Sequence, residues 1–212
     1  MHFEILLEEP SAEVVITTIV PKIVGTEATL KTHVFQGKQD LLKKLPERLR
    51  AYRSYMQEDW VIVVLIDRDN DSCHTLKTRL NNIAADAGLV TRSQAAFPAK
   101  YQVLNRIAVE EIEAWYFGDV PALQTAFPKI PRSIGQQATY RDPDGIAGGT
   151  SEALERLLKR HDYYRSGLAK KDAAKRIADH LNVDRNASRS FTVFREALDD
   201  IMERWSVAEV PP

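Results

Sequence analysis

Residues 60–66, WVIVVLI, run without a break into 67–71, DRDND. Five of the seven apolar residues are β-branched, which favours an extended chain. The run stops abruptly at Asp67, so it predicts a strand with acids at its carboxyl end. Upstream, Phe3–Leu7 (FEILL) is a second short apolar run, of the kind buried on both faces of a sheet. It too ends in acids, Glu8 and Glu9, before Pro10 and Ser11 break the chain with helix-start chemistry. Ala12–Val24 is rich in β-branched residues and contains Pro21, so propensity leans to strand. A crossover between parallel strands needs a helix there, and a kinked helix is predicted.

Between the two runs, residues 28–34 alternate as a further strand that closes near Gly37. Leu41, Leu42, Leu45, Leu49, Tyr52 and Met56 then recur at helical spacing. Beyond the acids, Ser72 opens a helix carrying Leu76, Leu80, Ile83, Ala84 and Ala87, with Gly88 suited to its C-terminal cap. Tyr101–Val109 predicts a fourth strand, and Glu110–Phe117 a helix leaving it directly.

Strands alternating with helices imply an α/β fold, a Rossmannoid parallel sheet flanked by helices. In such sheets ligands gather at the carboxyl ends of the strands. Residues 1–126 form this core on the sequence pattern. Residues 127–149, with three prolines and four glycines, are a connection that is either ordered or mobile. Residues 150–206 form a helical C-terminal region packed on the core, with helices at Ser151–His161, Leu168–Leu181 and Phe191–Trp205. The tail, 207–212, is expected to fray.

Composition narrows the function classes. The chain has 212 residues, 44% hydrophobic and 28% charged, with a net charge of -1. That excludes a disordered, collagenous or disulfide-stapled chain. Any nucleic-acid partner must be met by a local patch, since there is no global basic excess. The only cysteine, Cys73, has no partner for an internal disulfide, and the acidic start MHFEILLEEPSAE is unlike a signal peptide. No apolar run approaches a membrane span. A cytoplasmic protein with no membrane partner is expected.

The acids carry the chemistry. If the first and third strands lie side by side, Glu8 and the pair Asp67 and Asp69 converge at one sheet edge, and alternation puts Asp67 and Asp69 on one side if the strand continues. Clustered carboxylates repel unless a cation neutralises them, and all-oxygen ligation favours Mg²⁺ or Mn²⁺. Such ions clamp a scissile phosphate and activate water. Glu9, Glu13 and Asp71 flank these positions, and Glu111 and Glu113 belong to a third acidic cluster, Val109–Trp115. The bland alternative is that these acids cap helices or sit in solvated turns, with Asp71 capping the helix at Ser72. Residues 67–71 also imitate a calcium loop, but Ser72 and Thr78 stand where Gly and Glu are required. A phosphoaspartyl phosphatase with Asp67 as nucleophile would need the motif on the first strand. Cys73 with His74 is too sparse for zinc. Between Lys159 and Arg189, nine basic residues face four aspartates. Lys170, Lys171, Lys175 and Arg176 are the candidate nucleic-acid contacts there, against the alternative of a plain solvated helix face.

Glutamate after the first strand, DxD after the third, and strand–helix alternation between them resemble the TOPRIM domain of topoisomerases, primases and overcoming-lysogenization-defect nucleases. The segments EEPSAE (8–13), LIDRDNDSCH (65–74), VEEIEAW (109–115) and NASRSFTVFREAL (186–198) together look like a bacterial and archaeal TOPRIM-like family without an assigned reaction. Its genes often lie beside ATPase genes in mobile-element or phage-defence settings, and the resemblance spans nearly the whole chain. It implies that Glu8, Asp67 and Asp69 are the catalytic metal-binding acids. Relatives in the nuclease group read Glu-Gly-x-Thr-Glu at the first strand. Here Glu9 replaces the glycine and Ser11 sits near the threonine, which leaves Glu8 and Glu9 as alternative ligands and Glu13 as an offset counterpart of the second glutamate. Glu111 and Glu113 match the family's own acidic motif. No tyrosine marks a strand-passage nucleophile, which disfavours a topoisomerase. The resemblance implies a metal-dependent nuclease subunit working with an ATPase. The competing class is a non-catalytic adaptor that binds an ATPase partner, its acids structural.

Overall fold

The run at 60–67 is a strand, and its side chains alternate between two apolar layers. The computed structural model of the chain describes residues 1–208. Strands β1 (His2–Leu7), β2 (Thr29–Val34), β3 (Trp60–Asp67) and β4 (Val103–Ala108) form one parallel sheet in the order β2-β1-β3-β4. Helices α1 (Pro10–Val24), α2 (Lys38–Tyr55) and α3 (Cys73–Asp86) are the crossovers. After β4 come α4 (Ala114–Gly118), α5 (Val120–Ala126), α6 (Thr150–Arg160), α7 (Lys170–Ala178) and α8 (Arg189–Ala208).

Val61, Val63 and Leu65 face the layer of α1 and the C-terminal helices, while Ile62, Val64 and Ile66 face α2 and α3. A strand covered on both faces has no polar side to show, which is why β3 is apolar throughout. β1 divides likewise, Phe3, Ile5 and Leu7 against Leu6. The exception is Glu4, buried on β1 and held by Tyr52 Oη at 2.8 Å, His33 Nε2 at 2.5 Å and His2 Nε2 at 3.1 Å. Residues 10–24 are a helix despite their β-branched content. Ala12, Val15, Ile16, Ile19 and Val20 are buried at helical spacing, and that burial outweighs a propensity difference of a few tenths of a kcal/mol per residue. Pro10 takes the first turn, where its missing N–H costs nothing.

The connection at 127–149 is ordered, built from short 3-10 turns at Arg132–Gln136, Ala138–Tyr140 and Pro143–Gly145. Ile130, Ile134, Tyr140 and Ile146 are buried in the same cluster as the sheet, and Tyr140 stacks on Phe117 at 5.1 Å. Beyond it, α1 packs against α7 and α8, so the C-terminal helices cover one face of the sheet. No helix among the described residues is long and apolar enough to cross a membrane. Of the tail expected to fray, Val207 and Ala208 lie in α8, and residues 209–212 lie outside the described residues.

One element departs from expectation. The helix after β4 starts at Ala114, not Glu110. Glu110 has φ 60°, a left-handed turn that breaks the helix before it begins. The reason is non-local: Arg68 N–H donates to Ala108 O at 2.8 Å and Asp69 N–H to Glu110 O at 2.9 Å. These bonds extend the β3–β4 pairing past both strand ends, so Glu110 and Glu113 do not share a helix face.

Candidate functional site

The sheet order puts β1 beside β3, with Leu7 in register with Leu65 and Asp67 with Ala108. The acids after β1, at the end of β3 and after β4 therefore meet at one carboxyl edge. Glu8 Oε2 accepts the Asp67 backbone N–H at 3.2 Å. Asp67 itself is only 7% exposed. Burial, then the charges of Glu8, Glu113, Glu9 and Glu111, push its carboxyl well above the ordinary aspartate range. Glu8 is raised too, first by burial and then by Asp69 and Glu9, against the Asp67 hydrogen bond and the Lys38 charge.

Glu113 is 1% exposed, and its Oε2 has no hydrogen-bond partner. Burial, with Glu9 and Glu111 adding repulsion against the Lys170 charge, raises it to about 7. The Tyr116 hydroxyl, one turn on, is also buried without a partner. Burial and the neighbouring Glu113, Glu9 and Asp67 charges push that phenol well above its usual range. Glu111 Oε2 accepts from Ser151 N–H at 2.7 Å and Thr150 Oγ1 at 3.3 Å, at the start of α6, where the helix dipole favours an anion. Glu9 accepts from Ser11 Oγ.

Two lysines balance these acids. Lys170 Nζ stands 3.6 Å from Glu9, 3.5 Å from Glu111 and 3.4 Å from Glu113. Burial would lower its pKa, but Glu113, Glu9, Glu111 and Asp67 outweigh that and hold it raised. Lys38, 8% exposed, pairs with Asp69 at 2.6 Å and Asp71 at 3.0 Å and donates to Arg68 O at 2.8 Å. Burial opposes its charge, and the two ion pairs still raise it. Asp69 has φ 48°, a costly conformation for a non-glycine residue that clusters at functional sites. The strand stops at Asp67, so Asp67 and Asp69 do not sit side by side: Asp67 points in among the glutamates and Asp69 pairs with Lys38.

The structure thus brings together Glu8, Glu9, Asp67, Glu111 and Glu113, with Asp69 at the rim. It does not bring in Glu13, whose Oε1 accepts from Thr32 Oγ1 on β2 at 2.8 Å, nor Asp71, held outward by Lys38. Asp71 is not the α3 cap either; Ser72 Oγ accepts from Thr75 N–H. Of the basic residues on α7, Lys171 and Lys175 are exposed, while Arg176 stacks over Phe127 at 4.3 Å and donates to Ala126 O at 2.8 Å. Beside the acids opens a cleft of about 650 Å³, lined by Arg68, Asp69, Asn70, Glu111 and the turn at 145–149. Arg68 there pairs with Glu110.

Lys38 and Tyr116 escaped the sequence reading. Lys38 left a signal, since a lysine in the first turn of a helix opposes the dipole and needs acids nearby. Lys170, expected as a nucleic-acid contact, stands instead among the acids, and that place left no signal because it depends on α7 crossing the sheet end. By donor type the cluster suits a hard divalent cation: each candidate ligand atom is a carboxylate oxygen, one is buried without a partner, and burial first holds Glu8, Asp67 and Glu113 raised. Among the described residues, no three such groups are already spaced to hold an ion; Lys170 is the cation they share.

No curated protein and no solved structure matches the chain. A family model does, over residues 7–199, a span that takes in both the strand-end acids and the C-terminal helices. The chain belongs to that family, the domain of unknown function DUF4276.

Proposed function

We propose that the chain is a metal-dependent phosphodiesterase of TOPRIM type, a cytoplasmic nuclease subunit that works on nucleic acid with an ATPase partner in mobile-element or phage defence. The carrying observation is the burial of Asp67 among Glu8, Glu9, Glu111 and Glu113 at the carboxyl edge of a parallel sheet. Glu8, Asp67 and Glu113 would hold Mg²⁺ or Mn²⁺, which supplies charge neutralisation at a scissile phosphate and an acidified water. The protein's part is orientation. Glu8 is fixed by the Asp67 N–H, and Lys38 ties down the rim through Asp69 and Asp71. The cleft beside them is lined by Asp69, Glu110, Glu111, Asp144 and Glu152 with Arg68 paired to Glu110, so a phosphate chain would enter it only with its charge met by the bound cations. Lys171 and Lys175 on α7 add exposed positive charge, while Lys170 balances the acids themselves.

The test is cleavage of labelled single- and double-stranded DNA and RNA with Mn²⁺ or Mg²⁺, alone and with the neighbouring ATPase. Asp67→Asn should lower the rate by at least about a hundredfold with the fold intact, in line with the loss of a metal ligand. Unchanged cleavage in that variant would remove the assignment. A second reading, a non-catalytic adaptor for the ATPase, is favoured by Lys170, which already gives three of the acids an internal counter-charge. Co-purification with the ATPase, with no Mn²⁺ binding by calorimetry, would select it.

A further inference from the structure

The free edge of the sheet carries a second polar cluster of opposite sign. β4 is the edge strand of the sheet: past β3 it meets a single parallel bridge, Thr91 with Val103, and beyond Val103 no strand among the described residues covers its outer side. A pocket of about 370 Å³ lies there, between the starts of α3 and α8, within the size range of small-ligand sites. Its cationic lining is Lys77, Arg106 and Arg189, His74 lines it too, and Ile107, Val109 and Val193 supply apolar wall.

The cations are under-compensated. Arg106 is 8% exposed, its Nη1 donates to Asn105 O at 3.0 Å, and its Nε is buried with no partner. Lys77 Nζ likewise donates to Asn105 O. Among the described residues, no carboxylate forms an ion pair with Lys77, Arg106 or Arg189. The acids facing Arg106 from α8 are Glu196 and Asp200, and Asp200 is already engaged by Arg92 Nε at 3.0 Å, Arg204 Nε at 3.0 Å and Tyr101 Oη at 3.0 Å. Asn105, another residue of the lining, donates from Nδ2 to Asn81 Oδ1 at 2.9 Å, and its Oδ1 is a second buried atom without a partner. Burying a guanidinium beside another cation without an anion is costly, and natural chains retain such an arrangement where an anion completes it. Burial, then Arg106 and Arg92, pulls Lys77 down to about 7, and burial with Arg92 pulls Arg106 down to about 10. Neighbours that disfavour each other's charge are what a bound oxyanion would relieve.

We propose that this pocket is a phosphate-binding site, with Arg106, Lys77 and Arg189 as its cationic ligands. The phosphate belongs to a free mononucleotide-sized ligand or to the end of a nucleic-acid strand, which share this chemistry. The site does not depend on the metal reading of the acids, although Val109 in its wall directly precedes Glu110 in the acidic cleft.

Calorimetric titration of the full chain in EDTA, at constant ionic strength in chloride, tests it with inorganic phosphate, a 5′-phosphorylated trinucleotide and its 5′-hydroxyl counterpart. Wild type should bind inorganic phosphate, and Arg106→Met and Lys77→Met should each bind at least tenfold more weakly. Asp67→Asn should bind as wild type, which separates this site from the acidic one. Preference for the 5′-phosphorylated trinucleotide over inorganic phosphate assigns the site to strand ends, and no preference assigns it to a free ligand. In chloride, Arg106→Met should melt no lower than wild type, because a purely structural arginine would be missed with or without anion. Flat phosphate titrations of wild type, or wild-type affinity in both variants, overturn the proposal.

Discussion

At the scale of the residue, the acidic edge is a problem of too much like charge. Glu113 shows the consequence most directly: in the folded chain it is raised from the ordinary glutamate value of 4.5 to about 7. The folded state therefore binds this proton more tightly than the unfolded chain does. The stability it contributes is complete below the unfolded value and is lost as pH rises through the folded one. Asp67 and Glu8 are shifted in the same direction. In EDTA, then, unfolding free energy should fall between about pH 4.5 and 7, by on the order of 2 kcal/mol for Glu113. Glu113→Gln should flatten that slope in urea melts at pH 5 and 7.5; an unaltered slope would show that the carboxylate is not the source. Lys170 is the counterpart. Lys170→Met leaves Glu9, Glu111 and Glu113 facing one another and should cost about 1–2 kcal/mol at pH 7.5, less than a fully buried pair because a third of the lysine is wet. Under the metal reading, Mn²⁺ should restore more stability to Lys170→Met than to wild type. An equal or smaller effect would favour the adaptor.

At the scale of the element, legibility followed locality. β3 could be read from seven residues because its own apolar side chains specify burial on both faces. The turn at Glu110 could not, since it is imposed by hydrogen bonds from Arg68 and Asp69 some forty residues earlier in the chain. The start of α8 lies between these cases. Ser188, a residue type that favours helix starts and stands just before the apolar stripe, caps it: its Oγ accepts from Phe191 N–H at 3.2 Å. Its bond to Asp144 Oδ1 at 2.8 Å was not recognisable, nor was the approach of Gly118. Asn186 Nδ2 donates to Trp115 O at 2.8 Å and Ala187 N–H to Gly118 O at 2.8 Å, which draws the segment before α8 onto the end of α4. A Cβ on Gly118 would collide with Asn186 Oδ1 and stand 2.7 Å from the Ser188 backbone N. Gly118→Ala should therefore destabilise by about 1–3 kcal/mol, an overpacking cost, and Ser188→Ala by about 1–2 kcal/mol, for the lost cap and one of the three bonds to Asp144, the other two coming from Ser190. Urea midpoints check both. A Gly118→Ala variant as stable as wild type would mean that the α4–α8 junction is looser than drawn.

At the scale of the whole molecule, the question is whether the helices beyond residue 150 are an appendage or part of the fold. Periodicity marked their apolar stripes and read them as packed on the core, but could not say which elements met, because an amphipathic helix pattern names a buried face without naming its partner. The packing does say. Phe3, Val15 and Ile19 lie in one continuous apolar cluster with Leu157, Ile177, Phe194 and Ile201, and α1 lies against α7. The acidic edge is divided in the same way: its carboxylates come from the sheet half, and the cation that meets Glu9, Glu111 and Glu113, Lys170, rides on α7. Neither the core nor the site is complete without both halves, so unfolding should be one transition with coincident near- and far-ultraviolet dichroism. Ile177→Ala, at the buried face of α7, should cost about 2–5 kcal/mol and shift both signals together. Two resolved transitions, with only the later one insensitive to Ile177→Ala, would mean that the sheet folds without its C-terminal cover and that Lys170 is a visitor to the acids rather than a fixture of the fold.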